Sequence, residues 1–134
     1  MGVVRTAEES EGQWKITITP TYSGCPAMKV INDDIVAAMQ EAGYENVEVK
    51  EVLHPAWTTD WLTEDARQKL KEYGIAPPQG SVDKTTLLEE QKNIQCPQCG
   101  STNTRMVSQF GSTACKSLYQ CNDCKEPFDY FKCL

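Results

Sequence analysis

The chain is short of histidine, of positive charge and of long apolar runs. Its single histidine, His54, precedes a proline and is a poor candidate for a metal ligand. No stretch approaches the roughly 20 apolar residues of a membrane span, and the first residues lack a signal peptide's apolar core, so neither a membrane protein nor a secreted one is expected. Of 134 residues, 13 are Lys or Arg and 19 are Asp or Glu, a formal net charge of -6. Residues 1–95 hold nine basic and sixteen acidic side chains, and residues 96–134 hold four and three. Neither part offers a basic stripe for phosphate, so nucleic acid is not an expected partner.

Cysteine is abundant by contrast. Seven are present, and four form two Cys-x-x-Cys pairs, Cys96–Cys99 and Cys121–Cys124, with twenty-one residues between them. Such a turn aims two thiolates at one point. Two turns joined by a hairpin make the closed tetrahedral sulfur cage that zinc takes. Disulfides are the rival reading of the same residues. Four cysteines in metal spacing and one left after pairing suit a reducing compartment, so a cytoplasmic protein is expected.

The segment holding the pairs reads as a β ribbon. Thr102–Phe110 is a strand, Gly111-Ser112 a turn, and Thr113–Gln120 the return. Glu126-Pro127 breaks the chain, and Phe128–Phe131 is a third strand. So short a segment buries little apolar area, and a metal would supply the missing folding free energy. Cys115 stands roughly 20 Å along a strand from the cage. If Phe128–Cys133 runs antiparallel to Thr113–Gln120, Cys115 and Cys133 meet at the far end. They are then either two small packed side chains or a redox-sensitive pair or second thiolate site.

Ahead of the ribbon, Met1–Arg5 reads as a strand end and Glu8–Gly12 as a hairpin loop. Trp14–Thr19 alternates, with Trp14, Ile16 and Ile18 on one face. Met28, Ile31, Ile35, Ala38, Met39 and Ala42 recur at helical spacing, with Pro26 at the first helical position and Gly43 at the end. Val47–Val52 is another strand, free to lie parallel to the first. Cys25 falls at or near the helix N-cap, where free N–H groups and the helix dipole favour a thiolate. Gly24 leaves room for a backbone or cofactor to approach. A small buried apolar cysteine is the alternative. His54–Trp57 is a loop, and Trp57 and Trp61 read as packing. Thr63 caps a short helix with Ala66, Leu70 and Tyr73 on its apolar stripe. Ile75–Gly80 reads as a stop and a linker. The expected fold is α+β: a small α/β domain over 1–80, a linker over 81–95 and a zinc ribbon over 96–134.

Two sets of residues resemble known families. Thr19-Pro20-Thr21-Tyr22-Ser23-Gly24-Cys25-Pro26, the His54–Trp61 loop and Gly74–Pro78 are similar to the small α/β domain of SufT and of cytosolic iron–sulfur assembly factors. Phe110–Lys116 and Glu126–Cys133 closely resemble the C-terminal tail of the PaaD family, accessory proteins of bacterial phenylacetate degradation. Together they cover nearly the whole chain. The family domain normally begins with a helix and a strand bearing an Asp-Pro-Glu motif. Here Met1–Arg5 looks like the end of that strand, so an N-terminally shortened domain is expected, whether by a late start or by loss.

The resemblance implies a non-catalytic role. It implies a maturation factor that helps assemble or insert an iron or iron–sulfur centre of phenylacetyl-CoA epoxidase, with the di-iron or reductase subunits as partners. Zinc on Cys96, Cys99, Cys121 and Cys124 would be structural, and Cys25 would hold a transient iron or iron–sulfur cluster. One rival is a docking module or oxygenase subunit in which Cys25 is structural. Another is a thiol-dependent redox enzyme, but no base or resolving cysteine lies near Cys25 in the sequence. No oligomeric state is legible in these patterns.

Overall fold

The alternating stretch after Gly12 is strand β2, Gln13–Ile18, in the computed structural model, which describes residues 1–79 and 93–132. β2 is the middle of a three-stranded sheet. β1, Val4–Ser10, pairs with it antiparallel, and β3, Val47–Glu51, pairs with it parallel. Helix α1, Ala27–Glu41, is the crossover that parallel pairing requires. Ile16, Ile18 and Met28 form the buried centre, with Ile31, Ile35, Met39, Val47 and Val49 packed around them. Each large apolar side chain fully buried in this way contributes about 1.5–3 kcal/mol. Ala38 and Ala42, expected on the same stripe, are exposed. The strand register groups Glu8, Lys15 and Glu48 in one row and Thr6, Thr17 and Lys50 in the next. That alternation makes the opposite face polar, with opposite charges side by side in the first of these rows.

The helix closes as Gly43 predicts. Gly43 has φ 94°, its N–H donates to the Gln40 carbonyl, and the Tyr44 N–H donates to the Met39 carbonyl. This double pattern is a Schellman cap. The Glu8–Gly12 stretch, by contrast, is not a loop. β1 continues through Ser10, which faces Gln13, and only Glu11 and Gly12 turn the chain, at φ 53° and 77°. A two-residue turn of that hand matches strand twist. Every residue of β1 is exposed, so its carboxylates stay hydrated within a strand.

These elements belong to one compact unit, Gly2–Trp57, and a second unit spans Thr58–Leu134. In the second, α2 covers Glu64–Glu72, and Thr63 Oγ1 accepts the Ala66 N–H at 3.2 Å. Arg67 donates to the carbonyls of Pro78 and Thr59, at 2.5 and 3.2 Å, and so ties α2 to the chain on both sides. Tyr73, expected on the apolar stripe, is 85% exposed at the helix C-cap.

The stretch expected to be a linker begins instead with a strand. β4, Ile75–Ala76, pairs parallel with β7, Pro127–Phe131. β5, Thr104–Ser108, and β6, Lys116–Cys121, complete a sheet of order β4-β7-β6-β5. β5 and β7 both run antiparallel to β6, the strand order expected for the ribbon. Pro127 opens β7 rather than breaking the chain before it, at a first position that needs no ladder N–H. Ala76, Ile94, Tyr119, Phe128 and Tyr130 are buried with Cys96 and Cys121. Tyr119 stacks on Phe128 at 5.9 Å and meets Tyr130 edge-on at 5.7 Å. Of the expected linker, 81–92 lies outside the described residues, and Ile94 already belongs to this core. No helix among the described residues is long and apolar enough to cross a membrane.

Candidate metal centre

Each Cys-x-x-Cys pair is a tight turn closed by its own backbone. The Cys96 N–H donates to the Ser101 carbonyl at 2.8 Å, and the Cys121 N–H donates to the Glu126 carbonyl at 3.0 Å. The residue after each second cysteine is left-handed: Gly100 at φ 76° and Lys125 at φ 68°. The same backbone pattern thus occurs in both turns. The β5–β6 pairing sets Thr104 opposite Cys121 and brings the turns together.

The four Sγ atoms all lie within 4.8 Å of one another. Cys96 and Cys124 are 3.7 Å apart at sulfur, and Cys99 and Cys121 are 3.6 Å apart. A tetrahedron with zinc–sulfur bonds of about 2.3 Å has edges of about 3.8 Å, so the donor set fits zinc. A disulfide would need about 2.05 Å. Cys96 and Cys121 are fully buried, Cys124 is partly buried and Cys99 is exposed.

Backbone N–H groups aim at the sulfurs. The Cys124 N–H, aided by that of Asp123, pulls the Cys121 thiol down to about 7 despite desolvation. The Ser101 N–H lowers Cys99 and the Glu126 N–H lowers Cys124, but desolvation and neighbouring thiols outweigh them. Cys99 is therefore raised, and Cys124 is pushed up to about 12. Four thiolates cannot share this space without a cation, and a bound dication would displace the remaining protons.

A polar clasp joins the two turns from outside. Asp123 accepts from Ser101 Oγ, and from Asn103 Nδ2 at 2.8 Å. Asn122 Nδ2 donates to Asn103 Oδ1 at 3.0 Å. The Ser101 hydroxyl, then the Asn103 amide, hold the Asp123 carboxyl below the usual range. Sequence reasoning missed these four residues, Ser101, Asn103, Asn122 and Asp123. The signal was Asp123's place inside the second Cys-x-x-Cys pair.

Cys25 belongs to the other unit, at the end of the loop that leaves β2. Gly24 takes φ 79°, and a Cβ there would meet nothing within 4 Å, so the backbone angle rather than crowding calls for glycine. The helix N-cap is Pro26, so proline precedes the first helical position and Cys25 lies one residue ahead of the cap. Its side chain is half-buried against the Ile16, Ile18 and Met28 cluster, less open than the adjacent glycine suggests. Thr19, at the loop's other end, is 1% exposed, and its Oγ1 has no hydrogen-bond partner among the described residues.

Cys115 is buried, with Sγ 3.1 Å from Thr113 Oγ1, and its carbonyl accepts the Lys132 N–H. Cys133 lies outside the described residues. Neither Cys115 nor His54 joins a ligand cluster among the described residues.

A small α/β unit with a cysteine loop, joined to a four-thiol β ribbon, defines a two-module zinc-ribbon protein. The model of the PaaD zinc beta ribbon domain matches residues 80–132. A protein of Escherichia coli K12, named as a putative subunit of 1,2-phenylacetyl-CoA epoxidase, is 50% identical over 134 residues, all of this chain and 79% of that one. The chain belongs to the PaaD family. A crystal structure titled as a domain of unknown function, DUF59, from Bacillus anthracis matches 52% of this chain and 68% of its own, with 28% identity and a TM-score of 0.48.

Proposed function

We propose that this chain is a non-catalytic maturation factor that helps assemble or insert an iron or iron–sulfur centre of phenylacetyl-CoA epoxidase. The supporting observation is that the chain carries two cysteine sites of different kinds. One is a closed four-thiol cage, Cys96, Cys99, Cys121 and Cys124, whose ligands leave no open position for substrate. Zinc bound there supplies folding free energy to the ribbon. The other is Cys25, a single free thiol in a glycine loop outside that cage. Cys25 is the one placed to hold iron or a cluster as cargo, with Pro26 fixing the chain beside it and the Ile16–Ile18–Met28 cluster shielding one side. None of the six described cysteines is in a disulfide, in keeping with a reducing cytoplasm.

The name borne by the E. coli relative favours a second reading, a non-catalytic docking subunit of the epoxidase complex. One experiment separates the two. The chain is purified anaerobically, and Cys25→Ser is compared with the parent when each is co-expressed with the epoxidase subunits. Both forms should carry about one zinc per chain and co-purify with the same partners. Under the maturation reading, the iron content of the epoxidase falls severalfold with Cys25→Ser. Unchanged iron with intact co-purification rejects maturation through Cys25 and supports the docking role.

A further inference from the structure

Exposure divides the four ligands of the cage. Cys96 and Cys121 are 0% exposed and Cys124 is partly buried, but Cys99 is open to solvent. Its neighbours Gln98 and Gly100 are exposed as well, so a reagent can reach its sulfur. A bound dication keeps all four ligands as thiolates. The thiolate is the nucleophilic form of cysteine, and susceptibility to oxidation follows thiolate character and exposure together. Cys99 alone of the four combines both fully. It also has a sulfur beside it on the inner side: Cys121, from the other turn, brings Sγ to 3.6 Å. A disulfide needs about 2.05 Å, so a short movement of the two side chains would join them.

Charge selects the oxidant. Four thiolates and one zinc ion carry about two negative charges, on a chain whose formal net charge is already -6. A small neutral oxidant meets no repulsion there, and an anionic one does. We infer that Cys99 is an oxidation site that reacts with hydroperoxides, at which the cage releases zinc and closes as a Cys99–Cys121 disulfide. The Cys99 thiolate attacks one peroxide oxygen, the O–O bond breaks, and the other oxygen leaves as hydroxide or alkoxide. Cys99 is now a sulfenic acid. The Cys121 thiolate attacks the Cys99 sulfur and expels hydroxide. Each sulfur has given up one electron, and the peroxide has gained both. Zinc keeps only Cys96 and Cys124 and is released. The new link joins residues twenty-two apart and ties the same two turns, beside the Ser101–Asp123 contact. The ribbon therefore keeps its strand pairing, and a dithiol with zinc restores the cage. This inference rests on zinc in the cage and uses no part of the Cys25 reading.

Hydrogen peroxide added to the full-length, zinc-loaded chain in thiol-free buffer tests it. Zinc content is measured first, and a chain that binds none rejects the cage and this inference with it. A chromophoric chelator then follows zinc release, and mass spectrometry maps the cysteines. With dimedone present to trap sulfenic acids, early adducts should fall on Cys99 about fivefold or more over each of the other three ligands. Without dimedone, the Cys99–Cys121 disulfide should appear in step with zinc release. Far-UV circular dichroism should keep the ribbon signal, and dithiothreitol with zinc should restore the metal content. Adducts spread evenly over the four ligands, a dominant Cys96–Cys99 link, or a cage that keeps its zinc in millimolar peroxide overturns the proposal. Unfolding on oxidation that dithiothreitol and zinc do not reverse overturns it as well.

Discussion

Ser101 and Asp123, twenty-two residues apart in sequence, share a hydrogen bond that fastens one Cys-x-x-Cys turn to the other. Ser101 lies two residues after Cys99, and Asp123 lies between Cys121 and Cys124. Asn103 completes the fastening by donating to the second carboxylate oxygen at 2.8 Å. The turns bring two sulfurs each, and the clasp sets how the two halves of the cage face one another.

Removing that carboxylate should therefore loosen the metal without removing a ligand. Asp123→Ala is expected to lower zinc affinity about tenfold to a hundredfold, the usual effect of losing an outer partner of a metal site. Competition with a chromophoric zinc chelator reads it directly. The loaded variant should keep the parent's near-ultraviolet circular dichroism. Parent-like affinity would show that the clasp does not tune the cage.

Alkaline pH should weaken the ribbon through Tyr119. Burial, and secondarily Tyr130, raise this phenol above its ordinary value near 10. A phenol raised in the fold contributes stability that is fully present below the unfolded pKa. That contribution is lost as pH climbs from there through the folded pKa. Urea unfolding of the zinc-loaded chain should show a midpoint that declines above about pH 10. Tyr119→Phe, which keeps the stacking on Phe128 but has no proton to lose, should flatten the decline. An equal decline in both proteins would assign the effect to other groups.

The elements legible in the sequence are those whose pattern reports a buried face. Ile16 and Ile18 alternate because one side of β2 is covered. Met28, Ile31, Ile35 and Met39 recur because one stripe of α1 packs on it. The Cys-x-x-Cys pairs are legible because a short turn constrains both sulfurs locally. β1 was not legible past Arg5, since all of its residues are exposed and no alternation survives in Glu8-Glu9-Ser10. β4 is only Ile75–Ala76, too short to carry a period, and it exists through its long-range pairing with Asp129 and Tyr130. The Asp123 clasp depends on Ser101 and Asn103 arriving from the other turn, which spacing does not reveal.

The matched backbone of the two turns yields an opposed pair of substitutions. Gly100 follows Cys99 at φ 76°, and Lys125 follows Cys124 at φ 68°. The left-handed conformation costs a residue with a Cβ roughly 1–2 kcal/mol, which Gly100 avoids and Lys125 bears. A Cβ on Gly100 would meet its nearest neighbour, Gln95 Nε2, at 3.7 Å, an ordinary contact. Gly100→Ala should thus destabilise the ribbon by about 1 kcal/mol through backbone strain alone. Lys125→Gly should shift stability the other way, by less than about 1 kcal/mol, because glycine also frees the unfolded chain. The contact of Lys125 Nζ with the Asn122 carbonyl is lost as well and reduces the gain further. Urea midpoints of the zinc-loaded variants, fitted with a common slope, measure both shifts. A Gly100→Ala midpoint equal to the parent's, or shifts of the same sign in the two variants, would show that the left-handed residues do not limit the stability of these turns.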